Sequence, residues 1–266
     1  MTERKSDYRY RILSFMKEDG MRMSGKIYYP EEPGNKQERY PAVIFSHGLG
    51  VCYHELEHYG PWFAERGLAC LFFDFCGGGS PDSESDGSST LMSVKTEEED
   101  LRVVLGDLKR IAVNGQLPVD PQKIFLMGES QGGYVSTLLA TEEPGCCAGL
   151  ILWYAAFCLQ DMATEWKEKE KNHYTRFLWT VPLGRRYTED AWKIPIYDVI
   201  ASCKTPALLV HGDMDNIVPI AYSLRAKENF PQAQMVTIAG GAHGFEGEQR
   251  WLAAQASLDF VLQTGI

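Results

Sequence analysis

Gly128-Glu129-Ser130-Gln131-Gly132 follows the apolar run Ile124-Phe125-Leu126-Met127 and leads straight into Gly133-Tyr134-Val135-Ser136-Thr137-Leu138-Leu139-Ala140. The first run reads as a strand and the last segment as a helix that begins at once. The G-x-S-x-G pattern therefore falls on a strand-to-helix turn. A serine on so sharp a turn is lifted clear of the sheet, with its hydroxyl exposed and backbone N–H groups beside it. Glycine suits both flanking positions because a side chain at either would crowd the turn. Ser130 is thus the candidate nucleophile. Its context carries the assignment, since five letters alone occur by chance.

Working outward, short apolar runs recur at 42–45, 68–73, 149–152 and 207–210, as in strands covered on both faces, and a further strand reads at 235–238. Between them lie segments with helical spacing, at 55–66, 94–112, 219–229 and 247–263, the second marked by Leu101, Val104, Leu105, Leu108 and Ile111. The acidic run Glu97 to Asp100 falls in the first turns of that helix, where the dipole favours negative charge. Residues 8–15 and 21–29 read as an N-terminal hairpin turning near Asp19-Gly20. Strands alternating with helices predict an α/β fold with a mostly parallel central sheet and helices on both faces.

One interval breaks this rhythm. About fifty residues separate the strand ending near Leu152 from the one starting near Pro206. Ten aromatics crowd into 153–197, in a chain that is 12% aromatic overall. The expected organisation is a core of 1–152 and 204–266, with 153–203 inserted as an aromatic-rich cap. A small satellite core without a ligand role is the alternative for this segment. The charge run Glu165 to Lys171 reads as the solvated face of a helix within it.

A serine hydroxyl is a weak nucleophile and needs a base within hydrogen-bond reach, which in turn needs an orienting group. On such a sheet the order is Ser, then Asp or Glu, then His, each on a loop after a strand. His211-Gly212-Asp213-Met214-Asp215 directly follows the strand 207–210, and Ala242-His243-Gly244 follows 235–238. His243 is the candidate base and Asp215 its orienter, with Asp213 as the competitor in the same loop. His211 reads as structural; His47, His54, His58 and His173 lie outside the expected slot. The oxyanion donors are expected to be the backbone N–H of Gln131 and that of Leu49 in Ser46-His47-Gly48-Leu49-Gly50.

Other chemistries find less support. His54 and His58 share a spacing that zinc could use, but no third ligand or HExxH pattern accompanies them, so no metal or cofactor is expected. Gly77-Gly78-Gly79-Ser80 lacks GK[ST] and reads as a turn near the site rather than a phosphate loop. The formal charge of −10 disfavours nucleic acid and anionic membrane as partners. The first twenty residues hold no apolar signal core and no run approaches a membrane span, so a cytoplasmic location is expected. Seven cysteines without a CxxC pair suggest free reduced thiols.

Taken with these residues, the chain resembles the α/β-hydrolases over nearly its whole length, and within them the intracellular cinnamoyl/feruloyl esterases. His47-Gly48, Phe73-Asp74-Phe75-Cys76-Gly77, Gly128 to Gly133, Pro195-Ile196-Tyr197-Asp198-Val199, His211-Gly212-x-x-Asp215-x-x-Val218-Pro219 and Gly241 to Phe245 carry the likeness. Two features depart from it: Glu129 stands where many relatives carry His, and the cap is rich in Trp. The resemblance implies a serine carboxylesterase working through an acyl-enzyme on a small-molecule ester, with the cap shaping the acyl pocket. Trp153, Tyr154, Trp166 and Trp179 are then the expected walls for a planar aryl-acyl group. A thioesterase, acyltransferase or short-peptide hydrolase could use the same three residues, and a non-catalytic ligand sensor would not need them. An apolar cap equally suits pairing with a second copy, so a homodimer is a further expectation.

Overall fold

The structure, a computed structural model, describes residues 8–31, 39–169, 175–178 and 180–264. The chain runs β1 (Tyr8–Met16), β2 (Arg22–Pro30), β3 (Tyr40–Ser46), α1 (Tyr53–Leu56), α2 (Tyr59–Ala64), β4 (Ala69–Phe73), α3 (Val94–Val113), β5 (Val119–Glu129), α4 (Ser130–Glu142) and β6 (Leu150–Trp153). It continues through α5 (Leu159–Lys169), β7 (Thr175–Leu178), β8 (Val181–Gly184), α6 (Arg185–Lys193), α7 (Ile196–Ser202), β9 (Ala207–Gly212), α8 (Ala221–Asn229), β10 (Ala233–Ile238) and α9 (Gly247–Thr264).

Eight strands form one sheet in the order β1-β2-β4-β3-β5-β6-β9-β10. The β1–β2 and β2–β4 pairs are antiparallel, and the other neighbours are parallel. Side chains alternate across the pleat, so each central strand feeds two cores. Ile44, Leu71, Leu126, Leu152 and Leu209 pack toward α3 and α4 with Leu101, Leu105 and Leu138. Phe45, Phe72, Met127, Trp153 and Val210 face the other way, against Phe63 of α2 and Leu258 and Val261 of α9. This double burial is why those strands read as unbroken apolar runs.

The helix expected at 55–66 is two short helices. Pro61 has no N–H to give the Glu57 carbonyl and its ring would clash there in a continuous helix, but it fits the first turn of α2. The Gly60 N–H bonds the Glu57 carbonyl instead, at 2.9 Å. The acidic run of α3 is largely buried rather than solvated. Asp100 meets Lys17 at 2.6 Å, and Glu98 meets Lys95 and Arg102 at 2.7 and 3.1 Å.

Between β6 and β9 none of the described residues adds a strand to the main sheet; they form α5, the antiparallel β7–β8 pair, α6 and α7. Helices α5 and α6 pack on each other, while α7 packs against α4 and α8 with Ile196 and Ile200 buried in the main core. All seven cysteines are unpaired. Among the described residues no helix is long and apolar enough to cross a membrane.

Helix α4 starts hard against the backbone of β3. A Cβ on Gly132 would stand 2.2 Å from the Ser46 carbonyl oxygen, whereas one on exposed Gly106 in α3 would meet nothing within 4 Å. Gly132→Ala is expected to cost at least about 1–3 kcal/mol of stability through overpacking. Gly106→Ala is expected to gain about 0.5–1 kcal/mol from helix propensity. Urea unfolding of the two variants checks both signs.

Candidate active site

β5 ends at Glu129, and Ser130 opens α4 with φ of 48°, a conformation unfavourable for a residue with a Cβ. The turn is tight because its glycines touch backbone: a Cβ on Gly128 would lie 2.4 Å from the carbonyl of Gly132. The Ser130 carbonyl accepts the Ala156 N–H at 2.8 Å, tying the turn to the chain leaving β6. Ser130 Oγ is thereby presented at the carboxyl ends of the parallel strands, where loops from several strands converge.

Asp215 lies on the loop after β9. Its Oδ1 accepts the N–H groups of Ile217 and Val218, both at 2.9 Å, which fixes the turn. Its Oδ2 is 2.8 Å from His243 Nδ1 and 3.2 Å from His211 Nε2. Burial alone would raise this carboxyl. The hydrogen bonds from His211, His243 and the Val218 N–H outweigh it and hold the group well below the usual carboxylate range. An ionised Asp215 can only accept, so the proton on His243 sits on Nδ1 and leaves Nε2 as an acceptor. That Nε2 lies 3.1 Å from Ser130 Oγ. Asp213, the competitor, instead accepts the Gly240 N–H at 2.6 Å and closes the loop after β10. His211 donates from Nε2 to the Val218 carbonyl and meets Ser223 Oγ at 2.7 Å, so it braces the Asp215 loop.

The loop after β3 passes over the serine. Buried His47 donates from Nδ1 to the Gly48 carbonyl at 2.8 Å and accepts the Phe75 N–H on Nε2 at 3.0 Å. The Gly50 N–H bonds the Gly78 carbonyl at 2.9 Å, so the glycine-rich turn at 77–79 buttresses this loop. Glu129 reaches it as well, accepting the Gly48 N–H at 3.3 Å. Burial pushes the Glu129 carboxyl up, while Tyr154, Gly48 and the imidazoles of His47 and His243 pull it back.

A cavity of about 290 Å³ opens beside the serine. Leu49, Ala156, Cys158, Leu159, Met162, Leu178, Tyr187, Ile217 and Val218 give it an apolar wall; Ser130, Gln131 and Asn216 supply polar atoms. Leu49 and Gln131 thus border the same space as the serine. Of the expected aromatic walls, Trp153, Tyr154 and Trp166 are not among the residues lining this cavity. Trp153 points into the opposite core, packs on Phe45 and Tyr59, and donates its indole N–H to Ser257 of α9 at 2.9 Å. As the last residue of β6 it takes the pleat direction shared by Ile151, away from the cavity. Tyr154 is buried under His243, its ring 4.6 Å from the imidazole and its hydroxyl donated to Glu129 at 2.6 Å. Trp166 sits behind Tyr187 at 6.3 Å between ring centroids. Trp179 and His173 lie outside the described residues. His54 pairs with Glu57 and Glu84, and His58 bonds the Glu55 carbonyl. No cluster among the described residues could hold a metal.

Sequence reasoning missed Tyr187 and Glu97, which meet through the side chain of Gln131. Tyr187 donates to Gln131 Oε1 at 2.6 Å, and Gln131 Nε2 donates to Glu97 Oε2 at 2.7 Å, all buried. Tyr187 belongs to a helix with no motif, and Glu97 is one of four consecutive acids, so neither carried a distinguishing signal. Burial pushes Glu97 up to about 8, with Gln131 opposing and Asp100 adding to the rise. Folded Glu97 therefore keeps its proton in a range where the unfolded chain has released it, above about 4.3. The native state binds more protons there, so stability declines as pH rises from about 5 to 8. Glu97→Gln is expected to flatten that decline in urea melts at the two pH values; an unchanged slope would contradict the assignment.

Residues 37–194 match the family described as Serine aminopeptidase, S33. An uncharacterized protein of Mycobacterium tuberculosis is 31% identical over 219 residues, covering 78% of this chain and 63% of that protein. The uncharacterized peptidase YtmA of Bacillus subtilis is 27% identical over 117 residues, 43% of each chain. The chain thus spans less than two thirds of the length of these curated relatives. Among solved structures, Est1E of Butyrivibrio proteoclasticus with ferulic acid bound superposes with a TM-score of 0.78 at 23% identity, covering 94% of this chain and 98% of that one. The chain belongs to the Serine aminopeptidase, S33 family, and has an α/β-hydrolase fold like that of Est1E.

Proposed function

We propose that the protein is a serine carboxylic ester hydrolase that works through an acyl-enzyme and accepts a small, apolar acyl group of the hydroxycinnamoyl type. One observation carries this reading: His243 bridges Ser130 Oγ at 3.1 Å and Asp215 Oδ2 at 2.8 Å, at the edge of an apolar cavity. Ser130 Oγ attacks the ester carbonyl carbon as its proton passes to His243 Nε2. Asp215 offsets the charge that develops on the imidazole. The N–H groups of Leu49 and Gln131 receive the carbonyl oxygen as it becomes an oxyanion. The C–O bond to the alcohol then breaks, and His243 returns the proton to the leaving oxygen. Water, deprotonated by the same nitrogen, releases the acid and restores Ser130.

The cavity, about 290 Å³, stands at the lower end of the range for ligand pockets, which supports a compact acyl group. Tyr187 offers a ring face and Met162 a polarisable thioether, both favourable to a planar aryl group. Est1E, the structural neighbour, holds ferulic acid. The family description and the Bacillus relative favour a second reading, release of N-terminal residues from short peptides. Such a site needs an anion to receive the substrate's α-ammonium, and no carboxylate is among the described residues lining the cavity. The ester reading is therefore preferred.

Methyl ferulate, short p-nitrophenyl esters, acyl-CoA thioesters and aminoacyl anilides should be assayed side by side. Ferulate hydrolysis is expected to have the highest kcat/KM. Ser130→Ala is expected to lose activity by about 10³-fold or more and to lose fluorophosphonate labelling. Faster turnover of aminoacyl anilides would favour the peptidase, and an unlabelled wild type would end the hydrolase mechanism.

A further inference from the structure

Glu129, the residue before the nucleophile, is buried, and the reaction described above gives it no part. Both of its oxygens have partners. Oε1 accepts the Gly48 N–H at 3.3 Å, and Oε2 accepts the Tyr154 hydroxyl at 2.6 Å. The partners belong to the two halves of the machinery. Gly48 precedes Leu49 in the loop over the serine, so close that a Cβ on Gly48 would stand 3.3 Å from that of Ser130. Tyr154 lies against the His243 imidazole, with ring centroids 4.6 Å apart.

The backbone tells the same story. Ser130 at φ 48° and Tyr154 at φ 35° are the two non-glycine residues with positive φ among those described. Conformations of this kind are strained and persist only where their surroundings hold them. They follow the last paired residues of adjacent strands, Glu129 of β5 and Trp153 of β6. The Tyr154–Glu129 hydrogen bond joins one strained residue, Tyr154, to the neighbour of the other, Ser130, across the end of the sheet.

We propose that Glu129 is a positioning residue: one carboxylate oxygen holds the oxyanion loop through Gly48 and the other holds the support of His243 through Tyr154, which sets the spacing between oxyanion donor and base. This rests on the esterase reading above. A carboxylate is suited to the task because two donors converge on it, and both of its oxygens accept. A carboxamide has a single acceptor oxygen. In Glu129→Gln that oxygen cannot accept from both: either it goes to Tyr154 and the NH₂ faces the Gly48 N–H, or it goes to Gly48 and the Tyr154 hydroxyl must turn from donor to acceptor. In both arrangements the charge-assisted pair of ties is broken or reversed while the shape of the side chain is kept.

Wild type, Glu129→Gln and Tyr154→Phe are to be compared on one ester, with fluorophosphonate labelling, melting curves and inhibition by an aryl boronic acid, which forms a tetrahedral adduct on serine. Glu129→Gln is expected to melt cooperatively and to lower kcat about 10- to 100-fold with KM within about twofold, because small displacements of reacting groups act on the chemical step. Boronate affinity should fall by a similar factor. Tyr154→Phe releases only one oxygen and should show a smaller loss in the same quantity, kcat. A folded Glu129→Gln protein with wild-type kcat and boronate affinity overturns the proposal, as does one in which KM alone changes. If that variant does not fold, Tyr154→Phe decides: reduced kcat supports the assignment and unchanged kcat overturns it. A wild type that neither labels nor hydrolyses esters would defeat the esterase reading itself, a result separable from either variant.

Discussion

The site depends on the contact between two pieces of backbone that have no side chain between them. Gly132, in the first turn of α4, lies against the Ser46 and His47 carbonyls at the end of β3, where a Cβ would stand 2.2 Å and 2.6 Å from their oxygens. Gly128 lies against Gly132 in the same way. Only this approach lets the helix begin one residue after the strand, with Ser130 forced to positive φ and its hydroxyl turned outward. The loops after β3, β6, β9 and β10 then need no special length to reach it, because parallel strands end on the same side. A single steric condition thus fixes where the chemistry can be.

Around that turn the protein buries three carboxyl groups, and their surroundings separate them. Asp215 receives two backbone N–H groups and faces two imidazoles, so its charge is held. Glu97 receives the Gln131 amide, has Asp100 as an acidic neighbour, and is pushed up to about 8. Glu129 lies between these cases, with a hydroxyl and one N–H. Donors and neighbours set the charge of each acid, which is how similar side chains around one turn can take different parts. In the proposed reaction an orienter for His243 must stay ionised as the imidazole cycles, and Asp215 is the best supplied with donors.

Much of this was legible in the sequence. The strands were visible because burial on both faces leaves no polar position in them, and the order serine, aspartate, histidine follows from which strand ends face the site. Spacing alone left Asp215 and Asp213 both open; Asp215 lies 2.8 Å from His243 Nδ1, while Asp213 accepts the Gly240 N–H. What escaped has a common cause. Aromatic density in 153–197 reports that this segment buries apolar surface, but not against what. Trp153 spends its ring on the α9 side of the sheet and Tyr154 on His243, while Leu159, Met162 and Ile217, which carry no such flag, line the cavity. In the acidic run of α3, the helix dipole accounts for the charges in sequence, but Glu97 and Asp100 point inward because Gln131 and Lys17 are there to meet them. Tertiary partners distant in the chain leave no local trace.

The partnership between Gln131 and Tyr187 links substrate fit to the chemistry. Gln131 borders the cavity, offers its backbone N–H to the oxyanion in the proposed reaction, and holds the Tyr187 hydroxyl with its side chain. Tyr187 is a wall of the same cavity and belongs to α6, in the segment between β6 and β9. A group too wide for the space presses on that ring, and the ring can move only by displacing or breaking away from Gln131. Displacing Gln131 disturbs the residue directly after the nucleophile; breaking away leaves a buried carboxamide oxygen without its donor, which costs about 1–3 kcal/mol. In the proposed reaction a poorly shaped acyl group is then penalised in the transition state as well as in binding. Selectivity on that reading needs no moving lid, because the side chain that holds the wall and the backbone N–H that meets the oxyanion belong to one residue, Gln131.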